Sequence, residues 1–146
     1  MLYSKKVSIP IYGGYIAMFV YDNDDDFKLH DKKNKIDKRK LLDAIAFVKE
    51  SSLYIKNMHY YTVEIIFRAE HFGFVTLGVL AHEALHAADS IFHRIGAKNK
   101  FKNSEPYAYL VQHITDILHL FIEEYGNFVR RSDGKLPQIN ESESTV

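Results

Sequence analysis

The sequence predicts an α+β domain in which a small β-sheet, opened by an N-terminal hairpin, packs against two long helices. Three observations carry this prediction: two Val, Ile, Tyr and Phe-rich runs flanking Gly13-Gly14, the alternating run YTVEIIFR at 61–68, and two long helical patterns after it. With 146 residues and 47% hydrophobic content, the chain can build one core and not two of ordinary size. The domain is expected over residues 1–131. Residues 132–146, SDGKLPQINESESTV, offer little to bury and are expected to form a flexible tail.

Residues 7–12 and 15–21 form the expected hairpin, because Gly13-Gly14 tolerates the positive φ angles of a tight turn. Pro10 cannot donate to a ladder, so the first strand is expected at an edge or with a bulge. Asp22-Asn23-Asp24-Asp25-Asp26 ends the hairpin. It does not read as an EF-hand, which would want Gly at Phe27 and Glu at Lys33, so a solvated acidic turn is expected. Seven of the thirteen residues 28–40 are Lys or Arg, as in a solvated loop. Leu41, Leu42, Ile45 and Val48 recur at helical spacing and predict an amphipathic helix over 38–52.

The run at 61–68 then sets Val63, Ile65 and Phe67 on one face of a strand and Thr62, Glu64 and Ile66 on the other. A helix is predicted over 76–95 with Leu77, Leu80, Ala84, Ala88 and Ile91 facing the core, and Gly96 is suited to the left-handed residue past its end. A second helix is predicted from Ser104-Glu105-Pro106 to Phe128, with an apolar stripe of Leu110, Ile114, Ile117, Phe121 and Phe128.

Composition narrows the chemistry. Nineteen basic and nineteen acidic residues cancel, which disfavours nucleic acid or a charged membrane surface as the partner. No cysteine is present, so a transition metal would have to be held by His and carboxylate. No N-terminal signal pattern and no apolar run of ~20 residues is visible, and a soluble, cytoplasmic protein is expected.

Within the first long helix the chain reads Ala81-His82-Glu83-Ala84-Leu85-His86. Two His four apart project from one side of a helix, separated by about 40° of rotation, so both imidazoles can reach one ion. Glu83 lies about 100° round from His82, poorly placed as a ligand and well placed as a proton acceptor. A zinc ion, Zn2+, lowers the pKa of bound water towards ~7, and a neighbouring carboxylate can take the proton released. Catalytic zinc takes three protein ligands, and Glu105, after an 18-residue gap from His86, heads the next helix.

These residues resemble the gluzincin metallopeptidases, the thermolysin-like and M1 aminopeptidase-like families, whose pattern is HExxH followed by a ligand Glu about 18 to 20 residues on. The match covers roughly residues 61–128, and the chain also looks similar to small zincin-like proteins encoded by bacteriophages. The resemblance implies a minimal zincin-like core with His82, His86 and Glu105 as zinc ligands and Glu83 as general base. It implies a peptidase acting on a peptide or protein substrate, in which the strand at 61–68 borders the cleft and accepts an extended peptide at its edge. A phage origin would place the protein in a host cytoplasm or a virion.

The sequence departs from the family in places. Thermolysin-like enzymes carry a carboxylate four residues after the ligand Glu, where this chain has Tyr109. Asp89 falls on the ligand face and is a candidate to orient a ligating imidazole or to replace Glu105. Tyr107, Tyr109 and His113 are candidate oxyanion donors. The metzincin pattern would need Gly at Asp89 and His at Phe92 and is excluded. Two rivals stand beside the peptidase: a catalytically silent zinc-binding structural or interaction protein, and an iron triad of His82, His86 and Asp89, which asks one helix for all three ligands.

Overall fold

The computed structural model describes residues 3–9, 12–22, 45–55, 58–97 and 104–132. Its elements are β1 (Tyr3–Ser8), β2 (Tyr15–Tyr21), β3 (Ala46–Ile55), β4 (Met58–Arg68), a 3-10 helix (Ala69–Phe74), α1 (Leu77–Arg94) and α2 (Glu105–Ser132). This is the α+β class the sequence predicts, with a four-stranded sheet in the order β1-β2-β4-β3.

The hairpin forms with a different register from the predicted one. β1 ends at Ser8, paired with Tyr15, and the residues before Pro10, not those around it, make the strand. A Pro in the ladder would forfeit a hydrogen bond, so the strand is drawn from the donors upstream. Ile9 donates to the Gly14 carbonyl at 2.9 Å and accepts from Tyr12 and Gly13, which closes the turn. Gly13 has φ of 64° and Gly14 φ of 140°. A Cβ at Gly14 would stand 2.5 Å from the Tyr61 carbonyl oxygen, so this glycine also allows the turn to press on β4.

The helix expected over 38–52 is not found where the structure describes that region: residues 46–52 belong to β3. β3 pairs antiparallel with β4 from Ala46–Phe67 to Ile55–Met58, leaving two residues to connect them. Ala46-Phe47-Val48 suits either period, and the long pairing with β4 decides for the strand. Residues 38–44 lie outside the described residues, as do the acidic turn at 23–26, the basic segment at 28–40 and residues 133–146 of the expected tail.

β4 has the predicted alternation, and both of its faces are buried. Val63, Ile65 and Phe67 face the helices, while Thr62, Glu64 and Ile66 are buried on the opposite face. On that second face Ser51 donates to Glu64 at 2.7 Å, and Lys49 stands 3.7 Å from the same carboxylate. β2 runs parallel to β4 with Ile16, Met18 and Val20 beside Val63, Ile65 and Phe67. β4 is therefore an interior strand, hydrogen-bonded on both sides. The expectation that an extended peptide adds to its edge is corrected: it has none.

Both helices lie on the Val63 face. Leu80, Ala84, Ala87, Ala88 and Ile91 of α1 and Leu110, Ile114, Leu118 and Phe121 of α2 join the sheet in one core. Thr76 caps α1 by accepting from the Val79 amide at 3.3 Å, and Gly96 follows its end with φ of 69°. Leu77, expected in the core, is 65% exposed. In α2 the buried row is Tyr107, Leu110, Ile114, Leu118, Phe121 and Tyr125, so aromatic residues extend it at both ends, and Phe128, expected in the row, is exposed. Tyr3 of β1 meets Phe121, Tyr125 and Phe128, and Lys5 pairs with Glu124 at 2.5 Å, tying the hairpin to α2. Among the described residues no helix is long and apolar enough to cross a membrane.

Two measurements check this architecture. Gly14→Ala should lower unfolding free energy by about 2 kcal/mol or more in urea titrations, while Gly13→Ala, with open space around its Cβ, should cost about 1 kcal/mol. Burial, followed by the charge of Glu50, pushes the Tyr61 hydroxyl up from its ordinary 10.0 to about 12. The native state then keeps a proton that the unfolded chain has lost, so this contribution is complete below pH ~10 and is lost as pH rises through ~12. Absorbance at 295 nm should show Tyr61 ionising late, with Tyr61→Phe lowering the amplitude of the late ionisation that Tyr107 and Tyr125 share.

Candidate functional site

The sequence folds α1 so that its small residues face inward and its imidazoles outward. Ala84, Ala87 and Ala88 are fully buried, and with Leu80 and Ile91 they let the helix sit close to the sheet and α2. Positions 82, 85, 86 and 89 are thereby turned to the outside. His82 and His86 stand one turn apart with their Nε2 atoms 3.1 Å from each other and their rings nearly perpendicular, at 84°. Two nitrogen ligands of one tetrahedral zinc ion stand roughly 3.3 Å apart, given Zn–N bonds of about 2.05 Å. Without a metal, one ring's N–H can donate to the other nitrogen at the same distance.

Glu83, about 100° round the helix from His82, is buried, only 6% exposed. Burial raises its pKa, and positive charge on His82 and His86 acts in the opposite direction, so the carboxyl lies within electrostatic reach of both imidazoles. A desolvated carboxyl beside two rings is the environment of a proton acceptor.

The start of α2 is fastened to α1 by Tyr107. Its hydroxyl donates to Asp89 Oδ1 at 2.6 Å and lies 3.4 Å from the Leu85 carbonyl, and its ring meets Phe92 edge-on at 5.1 Å. Burial first, and the Asp89 hydrogen bond and charge second, raise the phenol's pKa. From sequence Tyr107 is a candidate oxyanion donor, and the structure gives it a packing and fastening role instead. Its place at the head of the row Tyr107, Leu110, Ile114 was the available sign that it packs inward.

That inward turn of Tyr107 decides where Glu105 goes. Glu105 precedes Tyr107 by two residues, about 200° round the helix, and is exposed. Tyr109, two residues after Tyr107, is 66% exposed, and His113 is exposed as well. The structure thus brings His82 and His86 together with Glu83 beside them, and does not bring Glu105 to them. Asp89 is exposed on α1 with its carboxylate engaged by Tyr107.

Among the described residues no three of His, Cys, Asp and Glu form a group able to hold a metal ion. This overturns the resemblance to the gluzincin metallopeptidases and to phage zincin-like proteins, whose pattern requires the carboxylate of the second helix to join the two imidazoles. The physical reason is the phase of α2, set by Tyr107 and Leu110 rather than by Glu105. In comparisons with known proteins the chain matches no family model, no curated protein and no solved structure.

Tyr107→Phe should keep the ring contact with Phe92 and lose the hydrogen bond to the Asp89 carboxylate. The expected loss is about 1 kcal/mol in thermal or urea unfolding, at the low end for a charge-assisted bond because Asp89 is exposed.

Proposed function

We propose that the chain is a metal-dependent hydrolase of peptide bonds, in which His82 and His86 hold a zinc ion and Glu83 is the general base. The observation that carries this reading is the facing pair of Nε2 atoms, 3.1 Å apart, next to a buried carboxyl of raised pKa. Neutral imidazole is a good donor to zinc, and two His at i and i+4 around a Glu is the helical arrangement in which that Glu serves as base for peptide hydrolysis.

A zinc ion bound there supplies a Lewis acid that polarises a carbonyl and acidifies water at neutral pH. Glu83 takes the proton of the attacking water and passes it to the leaving amine. Its burial brings the acid and base forms closer in energy near neutral pH, which suits a group that must do both. Tyr109 and His113, exposed on α2, have no step in this reading. Two described donors grip an ion less firmly than the three usual in catalytic zinc sites, so the site is expected to need added zinc.

The same shortage favours a second reading, a zinc-binding interaction protein without catalysis, in which donors from another molecule complete the ion's shell. The two readings separate on Glu83→Gln. The hydrolase reading expects cleavage of an unstructured peptide substrate by zinc-supplemented wild type. Glu83→Gln should lower that cleavage at least a hundredfold with zinc content, by plasma mass spectrometry, unchanged. Zinc uptake with no cleavage by either protein supports the interaction reading. Zinc content unaltered by His82→Ala and His86→Ala removes both.

A further inference from the structure

We propose that α1 is the interface of a metal-linked dimer, in which the His82–His86 pairs of two copies of this chain close around one divalent ion. The inference rests on the reading of His82 and His86 as metal donors and goes beyond it by naming the molecule that completes the shell.

The donor count carries the argument furthest. The pair is exposed on the outer side of α1, its nitrogens already converge, and no third His, Cys, Asp or Glu among the described residues joins it. A tetrahedral ion takes four nitrogens, and a two-fold axis through the ion turns two imidazoles into four with no further residue.

The surroundings of the pair suit a second helix. Gly78 and Ala81 are exposed beside His82, and a Cβ at Gly78 would meet only Thr76 Oγ1, at 3.6 Å. Small residues beside the pair leave room for the side chains of a facing helix. Leu85, 42% exposed, borders the pair and is a large apolar group left in water by one copy alone.

The charges on this face are complementary under the same symmetry. When two copies of α1 lie antiparallel with His82 opposite His86, Asp89 comes opposite the second copy's first turn. That turn carries no acidic residue, and its helix dipole favours a carboxylate. Glu83 is buried and brings no like charge to the contact. Four imidazoles leave the ion no open position, so the linked form is a closed, resting state of the site.

The experiment is sedimentation equilibrium of the purified chain with zinc added from zero to one equivalent, beside calorimetric titration of the same zinc. The expected result is a doubling of mass complete at one zinc per two chains, reversed by EDTA. His82→Ala and His86→Ala should remain monomeric, and His119→Ala, an exposed His far along α2, should dimerise as wild type does. Leu85→Glu should weaken zinc-dependent dimerisation at least tenfold while still binding zinc, with circular dichroism confirming that each variant is folded. A monomer that binds one zinc per chain would overturn the dimer and leave the metal reading standing. Absence of zinc binding by the wild type would overturn both, and a dimer that persists in EDTA or in His82→Ala would overturn the metal link.

Discussion

The close seat of α1 on the sheet and α2 is the constraint from which the site follows. Ala84, Ala87 and Ala88 are fully buried, and a helix that buries alanines can come near its neighbours only with that face turned inward. The rotation of α1 about its axis is thereby set, and with it the outward direction of His82 and His86. Thr76 at the start and Gly96 at the end hold the helix to the length that keeps this phase. Glu83 is carried to the inner side as a consequence, which is how a carboxyl comes to be desolvated beside two imidazoles.

A second phase, that of α2, is set independently. Tyr107, Leu110, Ile114, Leu118, Phe121 and Tyr125 form one row against α1 and the sheet, and the Tyr107 hydroxyl is tied to Asp89. Every other residue of α2 has its direction from that row. The two helices therefore meet through an aromatic latch, and the carboxylate two places before Tyr107 faces away from it.

The helices and the central strand were legible in the sequence because their signals are long. The pattern from Thr76 to Gly96 contains a repeated core-facing stripe and a terminating glycine, and the structure has both apart from the exposed Leu77. The alternation at 61–68 was equally readable, although not its place between two partners, since pairing order is a long-range property. The expected helix over 38–52 rests on Leu41, Leu42, Ile45 and Val48 at helical spacing, and in the part where β3 stands only its partner β4 tells the two periods apart. At the site, the facing of His82 and His86 followed from helical geometry alone. Glu105 was chosen by its distance along the chain, which says nothing of its angle about the helix axis.

The parallel seam between β2 and β4 has a consequence for how the chain emerges from the ribosome. Tyr15 pairs with Thr62, so β2 is made early and must wait for the whole of β3 and most of β4 before its second side is satisfied. During that interval the N-terminal hairpin carries an open row of amides and carbonyls along an apolar strand, IAMFVY, which is a template for pairing with any other nascent chain. The sheet's completion is thus tied to the order in which its strands are made, with β2 closed only by a partner more than forty residues downstream.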